Sequence, residues 1–144
     1  MKRFSCGFII KNIDGMVLVT HPTNAFLNNE KIWVFPKGML ENNETYLECA
    51  YREVKEETNL DLRELNGRIS YFDTYKRKKV DVILYLFESD IDLRYYDLKC
   101  NSMVYKENIP IFPENDDFKW IDLNNVDIKL SKYEENMLKN KLLL

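Results

Sequence analysis

The chain has 144 residues, of which 45% are hydrophobic and 13% aromatic, so it can bury a sizeable core and is not a disordered chain. This length is typical of one domain, and we expect a single domain over residues 1–144. The formal net charge of −3 excludes binding of nucleic acid by bulk positive charge. A polyanion would therefore require a local basic patch or a metal ion.

The cysteines and the N-terminus indicate the compartment. The three cysteines lie far apart and form no metal-binding pattern, which predicts reduced thiols at Cys6, Cys49 and Cys100. The N-terminus starts with basic residues, but too few apolar residues follow in a row for a signal peptide or a membrane span. We therefore expect a cytoplasmic protein that has neither DNA nor a membrane as its partner.

The first predicted elements are strands. Residues 4–11 and 16–20 are apolar runs on either side of Asp14-Gly15, which predicts a β-hairpin. Residues 21–31 are rich in turn formers and predict a loop. Residues 32–35 predict a short strand that ends at a Pro-Lys-Gly sequence.

The next segment, residues 38–60, predicts a helix that ends near Thr58. Residues 52–57 are nearly all good helix formers, and Asn59 stands where a left-handed residue often ends a helix. The buried face is predicted from apolar residues that recur at helical spacing: Leu47, Ala50, Tyr51 and Val54.

The same segment concentrates negative charge, with six glutamates and a single arginine. Positions three and four apart share a helix face, so Glu56 and Glu57 lie above Glu53 on one edge. Such an edge suits a hard divalent cation such as Mg²⁺. A solvated acidic helix with ordinary ion pairs is the alternative at this point.

The remaining elements are strands and a closing helix, at residues 68–75, 80–88, 118–121 and 131–142. The basic run at residues 76–79 predicts a turn between the first two strands. Residues 90–113 are compatible with a sheet or a mobile lid, with strand pieces at residues 98–105. Ser131 and Glu134 predict a capping box at the start of the closing helix.

Set in register, Gly38, Glu44 and residues 52–60 resemble the Nudix box, Gx5Ex7REUxEExGU, in which U is apolar. Every fixed position matches except Asn59, where the family has glycine, and Asn can adopt the same backbone there. The resemblance implies the α/β class, with a Nudix α/β/α sandwich on a central mixed β-sheet. It also implies a hydrolase that cleaves a phosphoanhydride bond in a nucleoside diphosphate linked to another group.

The family's site residues carry over position by position. The resemblance implies that Glu53 and Glu57 are direct metal ligands and that Glu56 is a further ligand or orients metal-bound water. The carbonyl implied as a backbone ligand is that of Gly38. Arg52 would pair with a neighbouring carboxylate, such as Glu44, and fix its rotamer. The implied cofactor is Mg²⁺, or Mn²⁺ in its place.

Many Nudix enzymes take one more carboxylate from a late loop, as a metal ligand or as the general base. The candidates here are four acidic residues: Glu107, Glu114, Asp116 and Asp117. The diadenosine tetraphosphate hydrolases of the family place such a glutamate shortly before a tryptophan. Glu114 precedes Trp120 in a similar way, so Glu114 is the expected residue.

Residues outside the box bear on the substrate. The WVFPKG sequence at 33–38 is similar to the diadenosine and diphosphoinositol polyphosphate branches, and to some messenger-RNA decapping relatives. Lys37 is a candidate phosphate contact, and Lys79 in the basic run is a candidate phosphate clamp. Tyr75 or Tyr105 is the candidate for stacking a base.

These features favour a dinucleoside polyphosphate, such as diadenosine tetraphosphate, as the nucleotide substrate. An RNA 5′ end is an alternative, as are ADP-ribose and other nucleotide sugars. A Nudix module that senses a nucleotide without cleaving it is the alternative from another class. A monomer and a homodimer are both compatible with the sequence.

Overall fold

The computed structural model describes residues 2–23, 31–141 and 143. Its elements in chain order are β1 (Arg3–Lys11), β2 (Val17–Pro22), β3 (Ile32–Trp33), β4 (Lys37–Met39), α1 (Tyr46–Thr58), β5 (Gly67–Arg77), β6 (Val80–Ser89), a 3-10 helix (Leu93–Tyr95), β7 (Met103–Lys106), β8 (Ile109–Pro113), β9 (Asn115–Ile121), β10 (Lys129–Leu130) and α2 (Lys132–Asn140).

Strand β1 is the centre of the main sheet, which runs in the order β5-β6-β1-β2-β9. One edge of β1 pairs with β6 in parallel along the whole strand. The other edge is shared by two antiparallel partners, because β2 pairs at Lys11 after the Asp14-Gly15 turn and β4 pairs near Cys6. The predicted hairpin is confirmed, and β1 fixes the position of Gly38, which pairs with Cys6.

The two faces of β1 carry two separate cores, since side chains alternate along a strand. Phe8 and Ile10 pack in the cluster beneath α1, whereas Ile9 packs in the cluster beneath α2. Helix α1 contributes Ala50 and Val54 to the first cluster, and α2 contributes its own apolar residues to the second. The predicted α/β/α sandwich with a central mixed sheet is confirmed.

Helix α1 begins and ends at chemically defined caps. At its start, Thr45 and Glu48 form a capping box in which each side chain accepts a hydrogen bond from the other's backbone N–H. At its end, Asn59 is left-handed, with φ of 72°, and its N–H donates to the Lys55 carbonyl at 3.0 Å. The predicted helix end is therefore confirmed.

Two parts of the first half of the chain differ from the prediction, and a third cannot be compared. Residues 37–39 form a strand, β4, where only the end of a strand is predicted. Strand β5 continues to Arg77, so the turn before β6 has two residues rather than four. Of the predicted loop at 21–31, residues 24–30 lie outside the described residues.

The segment between β6 and β9 forms a 3-10 helix and then a hairpin, β7–β8, which is a two-stranded sheet of its own. The strand pieces predicted at residues 98–105 begin later, at Met103. The hairpin turn has Glu107 and Asn108 at φ of 53° and 67°, which matches a primed turn. Glu-Asn is a weak sequence signal for such a turn, and two prolines in the second strand obscure it further.

The closing helix is shorter than predicted, Lys132–Asn140 rather than residues 131–142. Ser131 is its N-cap, and its side chain accepts a hydrogen bond from the Glu134 N–H at 3.3 Å. The Glu134 side chain does not complete the predicted capping box, because it lies in the core instead. Among the described residues, no helix is long and apolar enough to cross a membrane.

The left-handed cap at Asn59 gives a stability prediction. We expect Asn59→Ala to be less stable than Asn59→Gly by about 1 kcal/mol, because a β-carbon opposes the left-handed conformation. Both variants lose the hydrogen bond between Asn59 and Asn101, so their difference isolates the backbone term. Urea unfolding measures it, and equal stability of the two variants would contradict this account of the helix end.

Candidate active site

The site is built where the acidic edge of α1 meets β4. Glu53 and Glu57 lie one turn apart on α1, and each residue is 7% exposed. A carboxylate oxygen of Glu57 accepts a hydrogen bond from the Lys37 backbone N–H at 2.8 Å. A β-carbon added to Gly38 would lie 2.0 Å from the Glu53 carboxyl group, so glycine is required for this close approach. Residues 37–38 and the buried carboxylates therefore form one unit.

Arg52 holds the surrounding carboxylates in place. Its guanidinium makes two hydrogen bonds to Glu44, at 2.6 and 3.0 Å, so the predicted pair is confirmed. Its Nη1 also lies 2.8 Å from Glu53 and 3.3 Å from Glu56. A further bond from Nη2 to the Met39 carbonyl, at 3.0 Å, ties this cluster to β4. The pairing with Arg52 lowers the pKa of Glu44 and keeps it ionised.

The two inner carboxylates have the opposite electrostatics. Burial raises the pKa of Glu53 to about 7, partly offset by Arg52 and reinforced by repulsion from Glu56. Burial likewise raises the pKa of Glu57 to about 8, although the nearby Lys37 charge and N–H lower it. A positive charge placed between Glu53 and Glu57 would therefore stabilise their ionised forms.

This donor set fits a hard divalent cation. The groups available are two buried carboxylates, the half-buried carboxylate of Glu56 and the carbonyl of Gly38, which are the oxygen ligands that Mg²⁺ prefers. Within the described part of the chain, no three acidic, His or Cys side chains already surround a common point, and the Arg52 guanidinium lies between Glu53 and Glu56. A cation would compete with Arg52 for these two groups.

A cavity of about 270 Å³ opens beside Glu57 and gives Glu114 its place. Its lining combines acidic and basic groups, with Glu114 and Glu57 together with Lys37 and Arg77. Glu114 also acts on the buried pair, because its charge raises the pKa of Glu53. The late carboxylate expected from the sequence therefore lies beside the box residues.

The other three late acids have different surroundings. Asp116 lies 2.5 Å from Nδ1 of the buried His21 ring, and Asp117 pairs with Lys31 at 3.1 Å. Glu107 lies at the exposed turn of the β7–β8 hairpin. Of the four candidates, Glu114 is the one that lines the cavity with Glu57.

Comparisons with known proteins bear on the family and on the class of activity. The NUDIX domain family matches residues 1–141. The chain belongs to this family. An RNA pyrophosphohydrolase of Pelagibacter ubique (strain HTCC1062) is 29% identical to this Nudix protein, over 99% of this chain and 93% of the relative. The predicted class, a hydrolase acting on phosphoanhydride bonds, is thereby confirmed.

Two solved structures show the same fold at low identity. The MutT NUDIX hydrolase from Burkholderia pseudomallei has a TM-score of 0.67 and 15% identity, with coverage of 96% of this chain and 97% of that chain. A C. elegans Ap4A hydrolase has a TM-score of 0.61 and 18% identity, with coverage of 97% and 95%. At such identities the likeness establishes the fold alone.

Lys37 and Tyr75, which the sequence suggests as substrate contacts of the Nudix protein, both bind Glu134 of α2 instead. Glu134 is fully buried and accepts hydrogen bonds from the Phe35 N–H at 2.8 Å and the Tyr75 hydroxyl at 2.5 Å. The Lys37 ammonium lies 2.8 Å from the same carboxylate. Because the Lys37 side chain is only 12% exposed, a phosphate contact by Lys37 would break a buried ion pair.

The aromatic candidates lie apart from each other. The half-buried Tyr75 ring stacks on Tyr133 of α2, with 5.8 Å between centroids, and its hydroxyl is held by Glu134. Tyr105 lies on the separate β7–β8 hairpin and is 62% exposed. Neither Tyr75 nor Tyr105 lines the cavity beside Glu57. Lys79 lines a second cavity, together with Tyr133.

Sequence reasoning missed two residues of the site. The sequence indicates only a helix-capping role for Glu134, because its three partners lie far away in the chain. Asn115 is 5% exposed beside Glu57, and its side chain lowers the pKa of Glu57. Asn115 follows Glu114 directly, but no pattern in the sequence distinguishes it from other asparagines.

The raised pKa of Glu57 gives a prediction for the metal-free protein. An ordinary glutamate titrates near pH 4.5, so protonated Glu57 favours the folded state below that pH, and this contribution is lost as the pH rises through about 8. We compare the free energy of unfolding of Glu57→Gln with that of the unmodified protein. This difference should be about 1–3 kcal/mol more favourable to the variant at about pH 8.5 than at about pH 5.

Urea unfolding in the presence of a chelator measures this difference at both pH values. Glu64→Gln is the matched control, because it removes the same charge from an exposed residue after α1. The assignment is contradicted if the relative stability of Glu57→Gln is unchanged between the two pH values, or falls as the pH rises.

Proposed function

We propose that this Nudix protein is a divalent-metal-dependent pyrophosphohydrolase that acts on the 5′ end of an RNA. The observation that carries the proposal is a pair of buried carboxylates at β4: Glu53 lies against Gly38, and Glu57 lines a cavity that holds both charge signs. The RNA substrate is supported by the Pelagibacter relative, which is named an RNA pyrophosphohydrolase and matches this chain over nearly its full length.

The metal would be held by Glu53, Glu57 and the Gly38 carbonyl, with Glu56 as a further ligand or as the group that orients metal-bound water. Mg²⁺ or Mn²⁺ bound there supplies neutralisation of the phosphate oxygens and a lower pKa for the attacking water. The protein's own part is to fix these oxygen atoms before substrate arrives. Arg52 does so by holding the side chains of Glu44 and Glu53 through charged hydrogen bonds.

Glu114 would orient the attacking water or take its proton. Glu114 is exposed and lines the same cavity as Glu57. Its backbone is held by hydrogen bonds to the backbones of Ser102 and Thr23. Arg77 lies on the wall of the same cavity and would offset the charge of the phosphates, whereas the Lys37 ammonium is already paired with Glu134.

A dinucleoside polyphosphate is the second candidate substrate. It is favoured by the sequence from Trp33 to Gly38 and by the position of Glu114 before Trp120, which are similar to the diadenosine polyphosphate branch. A non-catalytic nucleotide sensor is the alternative from another class. The retention of every acidic position of the box argues against a sensor.

A substrate panel with matched variants tests the proposal. With Mg²⁺, we expect phosphate or pyrophosphate release from 5′-triphosphorylated RNA at a higher kcat/KM than from diadenosine tetraphosphate, ADP-ribose or a nucleoside triphosphate. Loss of a residue that only supports a metal ligand costs roughly 10–100-fold in activity. Glu57→Gln should lower kcat by more than this, because it removes the negative charge of a direct metal ligand. Glu114→Gln should also lower kcat strongly.

The controls carry the same change of charge outside the site. Glu64→Gln controls for Glu57→Gln, and Glu107→Gln on the hairpin turn controls for Glu114→Gln. Full turnover by Glu57→Gln would refute the metal-site assignment. Faster cleavage of diadenosine tetraphosphate would favour the second substrate, and nucleotide binding without any cleavage would favour the sensor.

A further inference from the structure

A second cavity of about 440 Å³ lies next to the one beside Glu57. We call it the basic cleft, and it is lined by Arg77, Lys78, Lys79, Val80 and Tyr133. Three consecutive cations form one wall, although the chain as a whole has a net charge of −3. The cleft is therefore a locally positive surface next to the candidate active site, on a protein whose net charge is negative.

Arg77 joins the two cavities, because it lines both of them. Strand β5 ends at Arg77, and the two-residue turn that follows presents Lys78 and Lys79. Within the described part of the chain, no carboxylate lies within 4.0 Å of these three cationic groups. Their charge is therefore available to a ligand that extends from the carboxylates of the active site.

Tyr133 gives the cleft an aromatic surface with a fixed position. It stacks on Tyr75 with an angle of 14° between the rings, and Tyr75 is itself anchored by its hydrogen bond to buried Glu134. Tyr133 nevertheless remains 45% exposed. A ring that is held from below and open at the surface is suited to stacking on a nucleobase.

We infer that the basic cleft binds the nucleotides of a single-stranded RNA that follow the 5′ phosphates. Cationic groups for the backbone and an aromatic ring for a base are the two elements of single-strand binding without sequence preference. Arg77 would bridge from the phosphates under attack to the backbone of the next nucleotide, and Tyr133 would stack a base. This inference rests on the proposed function, since it extends the substrate of the same site.

The cleft predicts a length-dependent substrate preference. For an RNA of several nucleotides that carries a 5′ triphosphate, Lys79→Gln and Tyr133→Ala should each raise the KM by about 5-fold or more. The same variants should leave the KM for a nucleoside triphosphate unchanged, because that substrate does not reach the cleft. Loss of the Lys79 contact should also reduce the slope of log KM against log salt concentration by about 0.7, the value for one phosphate of a single strand.

Matched controls separate the cleft from general charge and folding effects. Lys76→Gln removes the same charge from the basic run, three residues before Lys79 and on the opposite face of β5 from Arg77, and Lys76 lines neither cavity. Tyr133→Phe keeps the ring and should restore RNA affinity. Equal effects of Lys79→Gln and Lys76→Gln, or equal loss with the nucleoside triphosphate, would overturn the inference.

A binding measurement decides the inference even if the RNA substrate is wrong. Fluorescence anisotropy with a 5′-hydroxyl single-stranded RNA requires no cleavage and no 5′ phosphate. Binding that weakens in Lys79→Gln and Tyr133→Ala, but not in Lys76→Gln, supports the cleft whatever the panel of substrates shows. Absence of binding, or an equal dependence of diadenosine tetraphosphate cleavage on Lys79, would overturn the assignment to RNA.

Discussion

The guanidinium of Arg52 holds together acidic groups that would otherwise repel one another. It bonds to Glu44 and Glu53, approaches Glu56 and reaches the carbonyl of Met39 on β4. The helical part of the Nudix box is thereby fixed to β4 and to Glu44, which precede it in the chain. Among the described residues, Arg52 makes no hydrogen bond to Glu57. Because Glu57 is buried, its ionised form needs another positive charge to stabilise it.

The two cores of the sandwich position this cluster from opposite sides. Beneath α1, Ala50 and Val54 pack on β1, which leaves the acidic edge of the helix facing β4. Beneath α2, buried Glu134 accepts a hydrogen bond from the Phe35 N–H, which lies just before β4, and forms an ion pair with Lys37. The backbone N–H of that same lysine donates to Glu57. A chain of polar contacts therefore links α2 to the carboxylates of α1 across the edge of the sheet.

The sequence predicts interactions between residues that are close in the chain, and it does not predict those between distant residues. The helix and its left-handed end at Asn59 depend on near neighbours, so the local pattern predicts them. The pair between Arg52 and Glu44 is implied by the resemblance to the Nudix box. Glu134 bonds to a backbone group 99 residues away, and no local pattern reports such a contact. The β7–β8 hairpin was missed because its turn residues are unusual. The basic run at residues 76–79 is evident in the sequence, but its relation to Tyr133 depends on the packing of α2 against β5.

The central claim is that the buried carboxylates exist to take a cation, and proton release on metal binding tests it most directly. Mn²⁺ can be titrated into the metal-free protein near pH 7 by calorimetry, in buffers that differ in ionisation enthalpy. With pKa values of about 7 for Glu53 and about 8 for Glu57, binding should expel protons, and Glu57→Gln should expel fewer. The same heat in every buffer, or proton release that Glu57→Gln leaves unchanged, would contradict the account.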